Sequence, residues 1–100
     1  MIEIPQFDVT IDGVFIKRFP LAKGVIVPQH FHDHSHATIV GRGLVRMWTD
    51  GVPQDIPSGT VIEMKANRKH EFLALEDSEL YCVHNEEHAY YTKENKLEFA

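Results

Sequence analysis

This chain of 100 residues is short of several things at once. It has a single cysteine, Cys82, so an intrachain disulfide framework and a CxxC zinc site are both excluded. A lone thiol also suits a reducing compartment. Cations are outnumbered, 10 Lys and Arg against 15 Asp and Glu for a net charge of -5. No surplus is left to neutralise phosphates, which argues against nucleic acid as a main partner. No apolar stretch approaches the roughly 20 residues that a membrane-spanning helix needs. The opening MIEIPQFDVT lacks the basic region and apolar run of a secretory leader. No membrane partner is therefore expected, and a cytoplasmic location is. Internal repeats, low-complexity tracts and linkers are missing too. The size is that of one domain, residues 1–100, with one core. Apolar residues at 43% and charged residues at 25% match ordinary globular usage and exclude a disordered chain.

A sustained i, i+3, i+4, i+7 apolar stripe is also lacking. What is there instead is punctuation. Turn signals recur at Asp12-Gly13, Pro20, Lys23-Gly24, Gly41, Gly43, Asp50-Gly51, Pro57-Ser58-Gly59 and Ala66-Asn67. Between them lie short β-branched and aromatic runs: 14–16, 25–27, 38–40, 45–48, 60–62, 72–75 and 80–83. This rhythm predicts an all-β fold, an antiparallel β-barrel or sandwich. An N-terminal strand is expected over residues 2–7, with no hairpin partner of its own. An open sheet edge invites association, and twofold pairing is the default for soluble oligomers, so a homodimer is expected. Met47 shares the parity of Val45 and is assigned to the interior. Trp48 is then outward, on a covered surface under that strand. The polar stretch 86–100 reads as a short helix or an arm.

Seven histidines are the one outlying count. Four fall in His30-Phe31-His32-Asp33-His34-Ser35-His36. Residues two apart on a strand share a face, so His30 and His32 can point into a barrel together. Neutral imidazole ligates Zn, Cu, Fe and Ni. Two ligands do not complete a site, and His36 and His70 are the obvious further donors. A purification tag would be terminal and uniform, whereas this tract is internal and interrupted.

The segment Gly24-(five residues)-His30-x-His32-(three)-His36-(six)-Gly43 resembles the first motif of the cupin superfamily. Gly51-(five)-Pro57-x-Gly59, followed by His70 eleven residues later, resembles the second. The likeness covers about residues 24–84 and both motifs in order. It implies a double-stranded β-helix, or jelly roll, of the small single-domain (cupin type-2 conserved barrel) kind. It also implies a divalent transition metal, one of Fe, Mn, Ni, Zn or Cu, on His30, His32, His36 and His70. One position departs from the pattern. His36 stands where the family usually has glutamate, giving four imidazoles in place of three and a carboxylate. With no anionic ligand, a divalent ion keeps its full charge, which favours the lower valence of a redox metal. The change also removes the glutamate as a proton carrier. Gly24, Gly43, Gly59 and Asn67 fall where the chain needs a sharp turn or a left-handed residue.

The remaining polar residues are assigned in turn. His34 is expected in a solvated turn, and His88 in solvent. His84 is either a general base facing the cavity or a hydrogen-bonded wall residue. Glu63 points either inward, as a buried carboxylate, or outward to solvent. His84 and Glu63 are the catalytic candidates. Tyr81, Tyr90 and Tyr91 are read as packing residues and Cys82 as a small core residue. Function is expected to be that of a metal-dependent, dioxygenase-like enzyme acting on a small molecule. Four ligands leave two positions of an octahedron open. The alternatives are a non-catalytic binding or sensing cupin and a dimer scaffold.

Overall fold

The computed structural model describes residues 7–30 and 34–85, and of Phe7, Gln29 and His30 it describes the backbone. His32, His88, Tyr90, Tyr91, the arm 86–100 and all of the expected strand 2–7 but Phe7 lie outside the described residues.

Among the described residues every regular element is a strand. In chain order these are β1 Phe7–Ile11, β2 Val14–Leu21, β3 Ile26–His30, β4 His36–Arg42, β5 Leu44–Thr49, β6 Val52–Pro57, β7 Thr60–Met64, β8 His70–Ala74 and β9 Ser78–Asn85. They pair antiparallel. One sheet has the order β1-β2-β9-β4-β7 and the other β3-β8-β5-β6. This is the antiparallel all-β fold that the turn-punctuated sequence predicts, in the jelly-roll form that the motif resemblance implies.

Two elements differ from expectation. The first strand runs through Ile11 and does have a hairpin partner, pairing from Phe7↔Arg18 to Ile11↔Val14. Asp12 and Gly13 close that hairpin with φ of 46° and 82°. Two successive positive φ values match the strand twist, as in the turns that Asp-Gly favours. The second is β6, which is not among the expected strands and whose Pro57 reads as a turn residue; it also holds Pro53. It lies at the edge of its sheet, where a strand tolerates missing N–H donors. Trp48 faces outward as expected and lines a shallow outer groove of about 510 Å³ with Arg46, Pro53, Gln54 and Asp55; the strand expected to cover it lies, but for Phe7, outside the described residues.

Strand alternation decides what fills the space between the sheets. From β2, Phe15, Lys17, Phe19 and Leu21 are buried; from β4, Thr38 and Val40; from β9, Ser78, Leu80 and His84. The opposite sheet supplies Val27, Val45, Met47, Ile56, Phe72 and Ala74. Burying each large apolar side chain contributes about 1.5–3 kcal/mol. The register arranges sheet positions in rows. Phe15↔His84 and Lys17↔Cys82 pair across β2 and β9, and Ala37↔Val83 and Thr38↔Cys82 across β4 and β9. His36↔Met64 pairs across β4 and β7. The inward row at one end is thus Phe15, His84, His36 and Met64, with Lys17, Cys82, Thr38 and Ile62 behind it. β3 ends and β4 begins at that same end, where His30 pairs with His70.

Gly43 fixes the turn between β4 and β5. Its φ is 87° and a Cβ there would collide with the Ser78 side chain and the Asp77 carbonyl. Gly51 has a similar φ of 85° but open space. Gly43→Ala is therefore expected to cost about 3 kcal/mol or more in urea unfolding, against about 1 kcal/mol for Gly51→Ala. Equal losses would show that the backbone angle alone matters at Gly43.

Candidate metal centre

His70 opens β8 and is held in place by its neighbours in sequence. The Asp50 carboxylate accepts from the Lys69 N–H at 3.0 Å and from Arg68 Nη1 at 2.9 Å. The Asp50 N–H in turn donates to the Lys69 carbonyl at 2.9 Å. The Arg68 guanidinium, then the Lys69 N–H, hold the Asp50 carboxyl below its ordinary pKa. The His70 ring is 5% exposed, and neither Nδ1 nor Nε2 has a hydrogen-bond partner. Burial pushes its pKa below the ordinary value, against an opposing pull from the Lys65 backbone. A buried imidazole with two unpartnered nitrogens costs about 1–3 kcal/mol. A metal that takes the lone pair offsets the share of that cost due to the acceptor nitrogen.

His36 opens β4 on the facing sheet and is half-buried. Its Nδ1 lies 3.3 Å from the Ala37 carbonyl oxygen. A proton on Nδ1 makes Nε2 the lone-pair nitrogen, which is the ligating tautomer. His30 is placed by the β3 backbone opposite His70, and His32 lies outside the described residues. The same end of the sandwich therefore receives His30, His36 and His70. Among the described residues no three His, Cys, Asp or Glu side chains are by themselves arranged to hold a metal ion.

Two further histidines face this end. His84 is buried, and on its row its ring lies 4.2 Å from that of His36, centroid to centroid. His34 is buried rather than solvated, a correction to the expected surface turn. Its Nε2 is 3.2 Å from His84 Nδ1. His84 is thus turned inward and has a hydrogen-bonding partner. Glu63, the other catalytic candidate, is exposed on the outer face of β7.

The row behind the histidines holds a residue that the sequence analysis missed. Lys17 is 1% exposed, with its ammonium 5.7 Å from the Phe19 ring centroid, within cation–π reach. The signal was the alternation itself. Phe15, Phe19 and Leu21 set the inward parity of β2, so of the adjacent Lys17 and Arg18 the former must turn in. Beside it, the Cys82 thiol lies 3.5 Å from Thr38 Oγ1. Burial pushes that thiol up to about 11, although the residue as a whole is half-buried. It stays a neutral thiol at physiological pH.

No family model matches the sequence, nor does any curated protein. Solved structures do match. A cupin superfamily protein from Desulfitobacterium hafniense superposes with a TM-score of 0.73 at 16% identity, over 82% of this chain and 76% of that one. KdgF from Halomonas sp. gives 0.73 at 19% identity, over 81% and 76%. The fold is that of the cupins. Bacillus subtilis oxalate decarboxylase, a protein with Mn(II) centres, gives 0.66 at 19% identity; 73% of this chain matches 21% of that one. The structural neighbours thus include a decarboxylase with Mn(II) centres.

The depressed His70 pKa has a consequence for the metal-free protein. As pH falls below the ordinary histidine value of 6.5, the unfolded chain gains a proton that folded His70 refuses. Stability is then full above that pH and falls toward and through the lowered folded pKa. His70→Phe removes this part of the pH dependence. Without metal it is expected to equal the parent or exceed it by about 1–2 kcal/mol at pH 6, since an unsatisfied group is lost. Urea unfolding of both proteins between pH 5 and 8 measures it. A less stable His70→Phe with an unchanged pH profile would contradict the reading.

Proposed function

We propose that this protein is a metal-binding cupin whose His30, His32, His36 and His70 hold a divalent transition metal, with dioxygenase-like chemistry on a small molecule. The observation that carries it is the buried His70 ring with both nitrogens unpartnered, at the end of the sandwich where β3 and β4 present His30 and His36. Four imidazoles suit Fe, Mn, Ni, Zn or Cu. A metal held there supplies Lewis-acid polarisation and, for iron or manganese, electron transfer. The chain's own part is to fix the imidazoles and to flank them with the buried apolar side chains of Phe15, Met64 and Phe72. The alternative of a non-catalytic binding or sensing cupin shares this site. It is separated by whether bound small molecules turn over.

Elemental analysis of protein purified without a histidine tag is expected to find about one metal per chain. His36→Ala and His70→Ala should each weaken binding more than the roughly tenfold to hundredfold typical of outer-shell changes. Glu63→Gln, on the outer face, should leave affinity unchanged, and His36→Glu should retain the metal. Binding should fail as pH drops through roughly 7 to 5, since protonated imidazole does not ligate. Parental affinity in both alanine variants would sink the proposal.

The homodimer is proposed through the outer face of the five-stranded sheet. Val9, Ile11, Val14 and Val61 are exposed there, with Ile16, Ile39 and Val83 half-buried between them. A contiguous apolar patch of this kind marks an association surface. Sedimentation at micromolar concentration should give a dimer that Val61→Asp with Ile11→Asp converts to monomer. A parent that sediments as a monomer contradicts it.

A further inference from the structure

The sequence gives no reason for two more histidines beside the metal centre, but the geometry does. His84 has two neighbours in its row of the five-stranded sheet and a third beyond the start of β4. Phe15 lies on one side at 6.2 Å between ring centroids, tilted by 41°. His36 lies on the other at 4.2 Å, tilted by 33°. Above them comes His34, with centroids 5.3 Å apart at 67°, an edge-on approach that brings its Nε2 to 3.2 Å from His84 Nδ1. One of those nitrogens donates and the other accepts, so a single proton lies between the two rings. Both rings are buried, where water competes poorly for the bond and its geometry is kept. The next residue, Ser35, is pinned as well: its hydroxyl accepts from the Ala66 N–H at 3.0 Å. The end of the connector that leads into His36 is therefore tied at two successive residues, once to β9 and once to the turn after β7.

We infer that His34 and His84 form an imidazole–imidazole latch that orients His36, making His84 a positioning residue for a metal ligand. The latch rests on the reading of His36 as a ligand given above. Its logic is that of outer partners around a metal: a ligand ring gains affinity when its neighbours allow it one orientation. A half-buried imidazole at a strand start has freedom about both side-chain torsions. The His84 ring is the surface against which that freedom is lost, and His34 keeps the His84 ring from turning over. The hydrogen bond, rather than ring packing alone, is what the latch requires.

Two substitutions at one position separate these parts. His84→Phe keeps a ring against His36 and removes the acceptor or donor at Nδ1. His84→Asn removes most of the ring but keeps a polar atom near the place of Nδ1. With Zn(II) as the probe in calorimetric titration, His84→Phe and His34→Phe should each weaken binding about tenfold to a hundredfold. His84→Asn, which keeps the polar atom but not the ring face, should fall between the parent and His84→Phe. The double variant His34→Phe/His84→Phe should lose no more than either single one, since the two act as a unit. Parental affinity in His84→Phe, or losses that multiply in the double variant, would overturn the latch. A parent that binds no Zn(II) would instead remove the metal reading. The latch is then judged on the metal-free parent by long-range ¹⁵N–¹H correlation of the imidazole rings. It predicts one fixed tautomer each for His34 and His84, with complementary protonation at Nε2 and Nδ1. Averaged tautomers at both rings would overturn it without any variant.

Discussion

The register of β4 against β9 is the constraint on which the site depends. Thr38↔Cys82 and Ala37↔Val83 leave one choice for what lies at the end of the sheet, because a slip of one residue would turn every side chain to the opposite face. In this register His36 and His84 fall on the same inward row and Val40 and Leu80 fall in the core. The apolar interior and the histidine end are therefore set by one alignment. Substitutions in the core that preserve volume leave the site intact, whereas a bulge inserted between Thr38 and Val40 would move His36 out of it.

The same arrangement explains how a chain of this size carries so many polar groups inward. The apolar cluster occupies the middle and one end, with Phe19, Leu21, Val40, Val45, Ile56, Phe72 and Leu80 among its members. Polarity rises in steps toward the other end: first Lys17, Thr38 and Cys82, then His36, His70 and His84. Each step carries its own means of compensation, a cation over an aromatic ring, a hydroxyl beside a thiol, an imidazole beside an imidazole. His70 is the exception, buried with no hydrogen bond at either nitrogen. Its cost falls where ligation of a metal would recover it.

The strands were legible because their signals are local: alternating β-branched residues and Asp-Gly turns need no tertiary information. β6 was hidden since two prolines in six residues look like a turn until the edge position is known. His36 and His70 stood out through spacing, which reports strand parity and turn length. His34 did not, because a polar residue between two candidate ligands reads as loop; its burial follows from a partner fifty residues away on β9. Lys17 was overlooked for a similar reason, as composition ranks lysine a surface residue while only the parity of Phe15 and Phe19 turns it inward. Glu63 was open to either orientation, and the β4–β7 register opposite Ala37 decided it outward.

The central claim is that imidazoles from both sheets close on one metal. X-ray absorption at the zinc edge of the Zn(II)-loaded, tag-free protein tests it most directly. The account predicts a first shell of four nitrogens at about 2.0–2.1 Å, with the outer-shell scattering that imidazole rings produce. A shell of oxygens alone, or fewer than three imidazoles, would contradict it.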